Sequence, residues 1–141
     1  IYWMLEEQFN VMKPTGRQYF YQDLALIAFE KKSTDFLWNT YTAKDQSDVG
    51  GNSLLSYVAG TNEMWIHTLF LTKRGAGGVI KLRSFNKQSG GFIDTEVAKN
   101  ETGRLLFFPR RSFFDRDHFT LLGVGGTNDN DYYILTIRRL P

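Results

Sequence analysis

Cysteine is missing from this chain of 141 residues, and histidine occurs only twice, as His67 and His118. Without cysteine there is no disulfide, no thiolate nucleophile and no sulfur-ligated zinc. Two histidines 51 positions apart cannot form an H-E-x-x-H metal motif. No apolar run approaches the roughly 18 residues of a membrane-spanning helix; the longest, residues 24–29 and 105–109, have the length of strands. Charge of one sign is also scarce, the net value being +2. It is unevenly spread, with five Lys/Arg against eight Asp/Glu in residues 1–70 and twelve against seven in residues 71–141. The basic second half suits an anionic partner, but there is no dense basic stripe and hence no strong nucleic-acid signal. No signal peptide is visible. The chain begins at Ile1, which reads as a processed product or an excised domain and leaves localisation unknown.

What is present is aromatic. Phe, Tyr and Trp make up 16% of the residues, and they fit the pleated surface of a sheet as well as they serve as binding anchors. An apolar fraction of 42% with 23% charged residues is that of a globular domain, and this length can bury a core without covalent staples.

Within Trp3–Met12, Leu5, Phe9 and Met12 are spaced four and three apart, which predicts a short amphipathic helix, or an arm, over residues 1–16 ahead of Pro14-Thr15-Gly16. From residue 17 the text is strand and turn. Strands are predicted at 17–29, 36–43, 53–59, 63–73, 79–85, 92–99, 104–108, 118–124 and 131–138, with breaks rich in Gly, Asn, Asp and Ser. Short strands at this spacing signal an all-β antiparallel sandwich of jelly-roll or Greek-key type over residues 17–141, with a closed β-barrel as the alternative. One hairpin can be set in register. With Phe85 opposite Phe92, Arg83 faces Asp94 and Lys81 faces Glu96 on a wet side, while Ser84–Ile93, Leu82–Thr95 and Ile80–Val97 meet on the other. Residues 131–138 and 63–73 are apolar on both faces, which predicts central strands covered on each side.

Few constellations carry chemistry. His67 reads as a sheet histidine with one hydrogen bond. Asp115-Arg116-Asp117-His118 sets a carboxylate beside an imidazole, half of a nucleophilic site, yet no G-x-S-x-G elbow accompanies it. The turn reading is preferred, and no catalytic residue is assigned. Thr127-Asn128-Asp129-Asn130-Asp131 alternates oxygen ligands but lacks the remaining parts of a calcium loop, so it reads as a turn and no metal is assigned. Gly75-Ala76-Gly77-Gly78 and Gly123-Val124-Gly125-Gly126 lead into strands and not into the helix a phosphate loop needs, so no cofactor is expected. Asn100-Glu101-Thr102 matches an N-glycosylation acceptor. The segment Phe107-Phe108-Pro109-Arg110-Arg111-Ser112-Phe113-Phe114 mixes cations with rings; it reads as phenylalanines in the core and arginines in water.

The favoured expectation is a non-enzymatic recognition module that binds protein or glycan surfaces through loops and exposed aromatics. Its candidate ligand-binding residues are Trp38, Tyr41, Tyr132 and Tyr133, with Arg110 and Arg111 as oxyanion contacts. A structural domain that assembles with itself or within a larger shell is the first alternative. An enzyme built on the Asp–His pair at His118 is the second.

Overall fold

A computed structural model describes residues 1–49, 56–73, 76–101, 106–124 and 131–138. Twelve strands occur among them: β1 Tyr2–Lys13, β2 Gly16–Phe29, β3 Phe36–Thr42, β4 Gln46–Val49, β5 Tyr57–Thr61, β6 Trp65–Leu71, β7 Gly78–Asn86, β8 Phe92–Asn100, β9 Leu106–Phe107, β10 Phe113–Asp115, β11 His118–Val124 and β12 Tyr132–Ile137. A single 3-10 turn, Pro109–Arg111, sits where proline breaks the chain. The fold is an antiparallel β-sandwich, and among the described residues no sheet closes into a barrel.

The strands form three sheets: β1-β2-β3 with β4, β5-β6-β7-β8, and β10-β11-β12 with β9. Most pairings join chain neighbours as in meanders, but β4 pairs with β2 and β9 with β11; a Greek-key or jelly-roll return is not seen among the described residues. Two core clusters show how the sheets stack. Leu69, Leu71, Ile80 and Leu82 of the second sheet pack with Phe107, Phe119 and Leu121 of the third. Ile66 and Phe85, from the opposite face of the second sheet, pack with Leu26, Ala28 and Trp38 of the first. The second sheet is thus the middle layer, which explains why β6 is buried along nearly its whole length.

Three expectations change. Residues 3–12 are strand and not helix: Leu5, Phe9 and Met12 are all exposed, so their four-and-three spacing marks no buried stripe. Their backbone groups pair instead with a longer neighbour, from Tyr2↔Ala28 to Lys13↔Gly16, around an irregularity at Glu7. β12 is an edge strand covered on one face only, Tyr132 and Ile134 being 70% and 73% exposed. In the β7–β8 hairpin the expected register holds from Phe85↔Phe92 to Lys81↔Glu96, but a bulge then puts Ile80 opposite Ala98 and not Val97. Arg83 chelates Asp94 through Nε and Nη2 (2.6 and 2.7 Å) and also donates from Nη1 to Thr42 Oγ1 (3.0 Å). The supposed wet side therefore faces β3 and ties the first two sheets together, while Ile93, expected inside, is 48% exposed.

Candidate functional site

Among the described residues, most of the exposed large apolar side chains belong to the first sheet. Strand alternation sends Leu24, Leu26 and Ala28 of β2 and Trp38 of β3 inward. The register aligns the outward residues in three rows across β1, β2 and β3. Ile1, bonded to Phe29 through both backbone groups, continues into Phe36. Trp3 lies opposite Ile27 and then Asn39, and Leu5 lies opposite Ala25 and then Tyr41. The Trp3 and Phe29 rings are 5.0 Å apart. Trp3, Leu5, Phe36 and Tyr41 are 56%, 53%, 60% and 64% exposed. At one end this face dips into a shallow concavity of about 400 Å³ lined by Leu5, Glu6, Glu7, Asp23, Ala25 and Tyr41, so its rim is acidic. β1 pairs only with β2 among the described residues, which leaves its other edge open over twelve residues.

The residues singled out from sequence do not form one site. Tyr41 lies on this face. Trp38 is core: its indole Nε1 donates to Lys87 O (3.2 Å), and its ring packs so closely on Gly90, at φ +73°, that a Cβ there would meet it at 2.7 Å. Tyr133 is anchored by its hydroxyl to Leu106 O (2.9 Å), over Gly123, and burial pushes its pKa up to about 12. Tyr132 is exposed, but on the third sheet. Arg110 donates to Tyr21 Oη (3.4 Å) and Arg111 lies over the Phe108 ring, so the two guanidinium groups engage separate partners. Phe107 and Pro109 are buried and both arginines exposed, as expected for this segment, although Phe113 is 55% exposed.

Two polar centres lie inside. His67, fully buried, approaches Ser84 Oγ through Nδ1 (2.8 Å) and Asn62 Nδ2 through Nε2 (3.1 Å). Asn62 Oδ1 accepts from the Met64 and Trp65 amides, so its NH₂ points at the ring. His67 Nε2 is then the acceptor and Nδ1–H the donor to Ser84. This tautomer cannot take the serine proton, and burial, helped by Lys87, lowers the His67 pKa to about 4. The arrangement is a structural clamp between β6 and β7.

The second centre was not legible in the sequence. Lys44 Nζ, buried between β3 and β4, pairs with Glu6 and donates to Gln46 Oε1 (3.1 Å). Ser56 Oγ and Gln8 Nε2 both donate to Glu6 Oε2 at 2.7 Å, and Gln46 Nε2 donates to Leu71 O at 2.6 Å. Desolvation lowers the Lys44 pKa despite Glu6 and Asp23. Burial, with Glu6, raises that of Tyr57. No motif marks this centre, because its bonded partners lie up to 50 positions apart.

The remaining motifs resolve locally. His118 Nδ1 lies 3.2 Å from Asp117 Oδ1, whose side chain is 89% exposed, in the turn between β10 and β11. Asn100 is fully buried, which closes the glycosylation reading for the folded chain. Residues 127–130 of the acidic loop lie outside the described residues. Among the described residues no helix is long and apolar enough to cross a membrane. Compared with protein-family models, with curated proteins and with solved structures, the chain matches nothing.

Proposed function

We propose that this chain is a non-enzymatic protein-recognition module whose contact surface is the outer face of the β1-β2-β3 sheet. The observation that carries the reading is the set of register-aligned, solvent-exposed apolar residues Ile1, Trp3, Leu5, Phe36 and Tyr41 beside an open strand edge. Contiguous exposed apolar surface of this kind is a mark of interaction sites. Tryptophan and tyrosine are the residues on which contact energy concentrates. The acidic rim at Glu7 and Asp23 selects a partner that is apolar at its centre and basic at its margin. A polar glycan fits less well, since Asn39 is the one amide in the aligned rows. An extended segment that adds to β1 would satisfy the open backbone groups and seat alternate side chains on the face.

Selection of a random-peptide display library against the chain tests this reading. Enriched peptides are expected to alternate apolar residues, to carry flanking Lys or Arg, and to bind the Trp3→Lys/Tyr41→Lys variant at least about tenfold more weakly, one hot-spot residue being worth that much or more. No enrichment, or peptides that bind the variant equally, overturns it. A second reading, self-assembly, is favoured by the length of the free β1 edge: two copies would pair edge to edge about a twofold axis. It requires a concentration-dependent dimer in sedimentation that the same variant disperses.

A further inference from the structure

The inward side of β1 borders a different feature. Tyr2 and Met4 turn toward the second sheet and, with Leu26 of β2, form one wall of a cleft of about 380 Å³. Ala59, Gly60 and Thr61 of β5 and Ile66 of β6 form the other wall, and Lys87, from the loop between β7 and β8, also lines the cleft. This volume lies within the range of small-molecule sites, roughly 300–1,000 Å³. The walls are almost wholly apolar in residue type. Lys87 is the exception: its Nζ donates one hydrogen bond to Asn62 O, and an ammonium has three to give. Among the described residues no carboxylate lies within ion-pair distance of it. The Tyr2 hydroxyl donates to Lys87 O (3.2 Å) and so fixes the loop; among the described residues that line the cleft, Lys87 carries the cation.

We propose that this cleft between the first and second sheets binds a small monoanionic amphiphile, with a medium-length acyl chain or a two-ring aromatic body between Met4, Leu26, Ala59 and Ile66 and a carboxylate on Lys87 Nζ. A single unpaired cation matches one negative charge. A phosphate or a dicarboxylate would bring charge that nothing in the cleft compensates, and burying unpaired charge is costly. A neutral lipid would leave the ammonium without its anion. The apolar walls supply most of the contact, and the charge-assisted bond sets orientation and selects the acid over the alcohol.

The test is a titration of octanoate and of octanol against the full chain, kept below micelle formation, followed by calorimetry and by methyl and amide shifts in NMR. Octanoate is expected to bind saturably at one site, with shifts at the methyls of Met4 and Ile66 and at Lys87, and about tenfold more tightly than octanol. Lys87→Met should remove that preference. Ala59→Phe, at a solvent-exposed position, should fill the cleft and abolish binding of both while the fold is kept. Absence of octanoate binding overturns the proposal. So does equal binding of acid and alcohol, a preference that survives Lys87→Met, or shifts that map to Trp3 and Leu5 on the opposite face of β1.

Discussion

Single buried polar side chains set how this protein answers to pH and to substitution. His67 binds a proton near pH 6.5 when unfolded and only near 4 when folded. Between those values the unfolded chain holds more protons, so stability is complete above about pH 6.5 and falls as pH drops toward 4. At about 1.4 kcal/mol per pH unit for one proton, the loss amounts to about 3.5 kcal/mol at most. Urea melts from pH 7 to 4.5 should show this decline in the parent chain and a flatter one in His67→Asn, whose absolute stability will be lower. Lys44 makes the second case. Lys44→Met leaves Glu6 buried with two neutral donors, Ser56 and Gln8, and no cation, and should cost about 3–5 kcal/mol. Adding Glu6→Leu to it should recover a large part of that loss in the same melts; no recovery would mean that the pair is needed for packing and not merely tolerated. Both side chains are invisible to pattern reading, because nothing around Glu6 or Lys44 announces a partner 38 positions away.

At the level of strands and hairpins, close approach and cross-strand charge decide the outcome. A Cβ on Gly123 would overlap the Tyr133 ring and also the Leu106 backbone carbonyl, which joins β9, β11 and β12. Gly123→Ala should therefore destabilise by about 2 kcal/mol or more, and shortening Tyr133 in the same chain should not rescue it, since the carbonyl stays. In the β7–β8 hairpin, Asp94 takes both Arg83 and Lys81. Lys81→Ala should change stability by less than about 0.5 kcal/mol, as for an exposed ion pair. Arg83→Ala should cost clearly more, because its guanidinium also holds Thr42 and the Tyr41 carbonyl on the neighbouring sheet. Hydrogen bonds from Arg83 hold the Asp94 carboxyl below its ordinary value near 3.8, so this contribution persists above that pH and is lost only as pH falls through the lower folded value, beneath the His67 window.

Over the whole molecule, a middle sheet covered on both faces divides the core into two clusters, while the first and third sheets each turn a face to water. Far-ultraviolet circular dichroism should give a strand spectrum without a helical component, residues 2–13 included; a helical signal would contradict the pairing of β1 with β2. The apolar outer face of the first sheet has a cost in the isolated chain. Trp3→Lys with Leu5→Lys should leave the melting temperature nearly unchanged, since neither side chain belongs to the core, and should raise the concentration at which the protein stays dispersed in light scattering.

What the amino-acid order determines alone is local: the all-β class, seven of the strand positions to within about two residues, and the β7–β8 register through five consecutive pairs, while residues 53–55 and 104–105 of two further expected strands lie outside the described residues. Alternation and turn residues act over neighbouring positions, and the Asn86–Gly91 turn settles which residues of the hairpin meet. Alternation defines two faces for every strand, but it does not say which face another sheet will cover. Trp38 and Tyr41 lie three apart on β3, and stacking against the middle sheet is what sends one into the core and leaves the other in water. The same holds for β1, whose helical spacing gave way to eleven pairings with β2. It holds also for Glu6, Lys44 and Ser56, brought together from three distant segments. Those outcomes depend on burial and hydrogen bonding between parts of the chain that no local pattern connects, so only the tertiary structure could decide them.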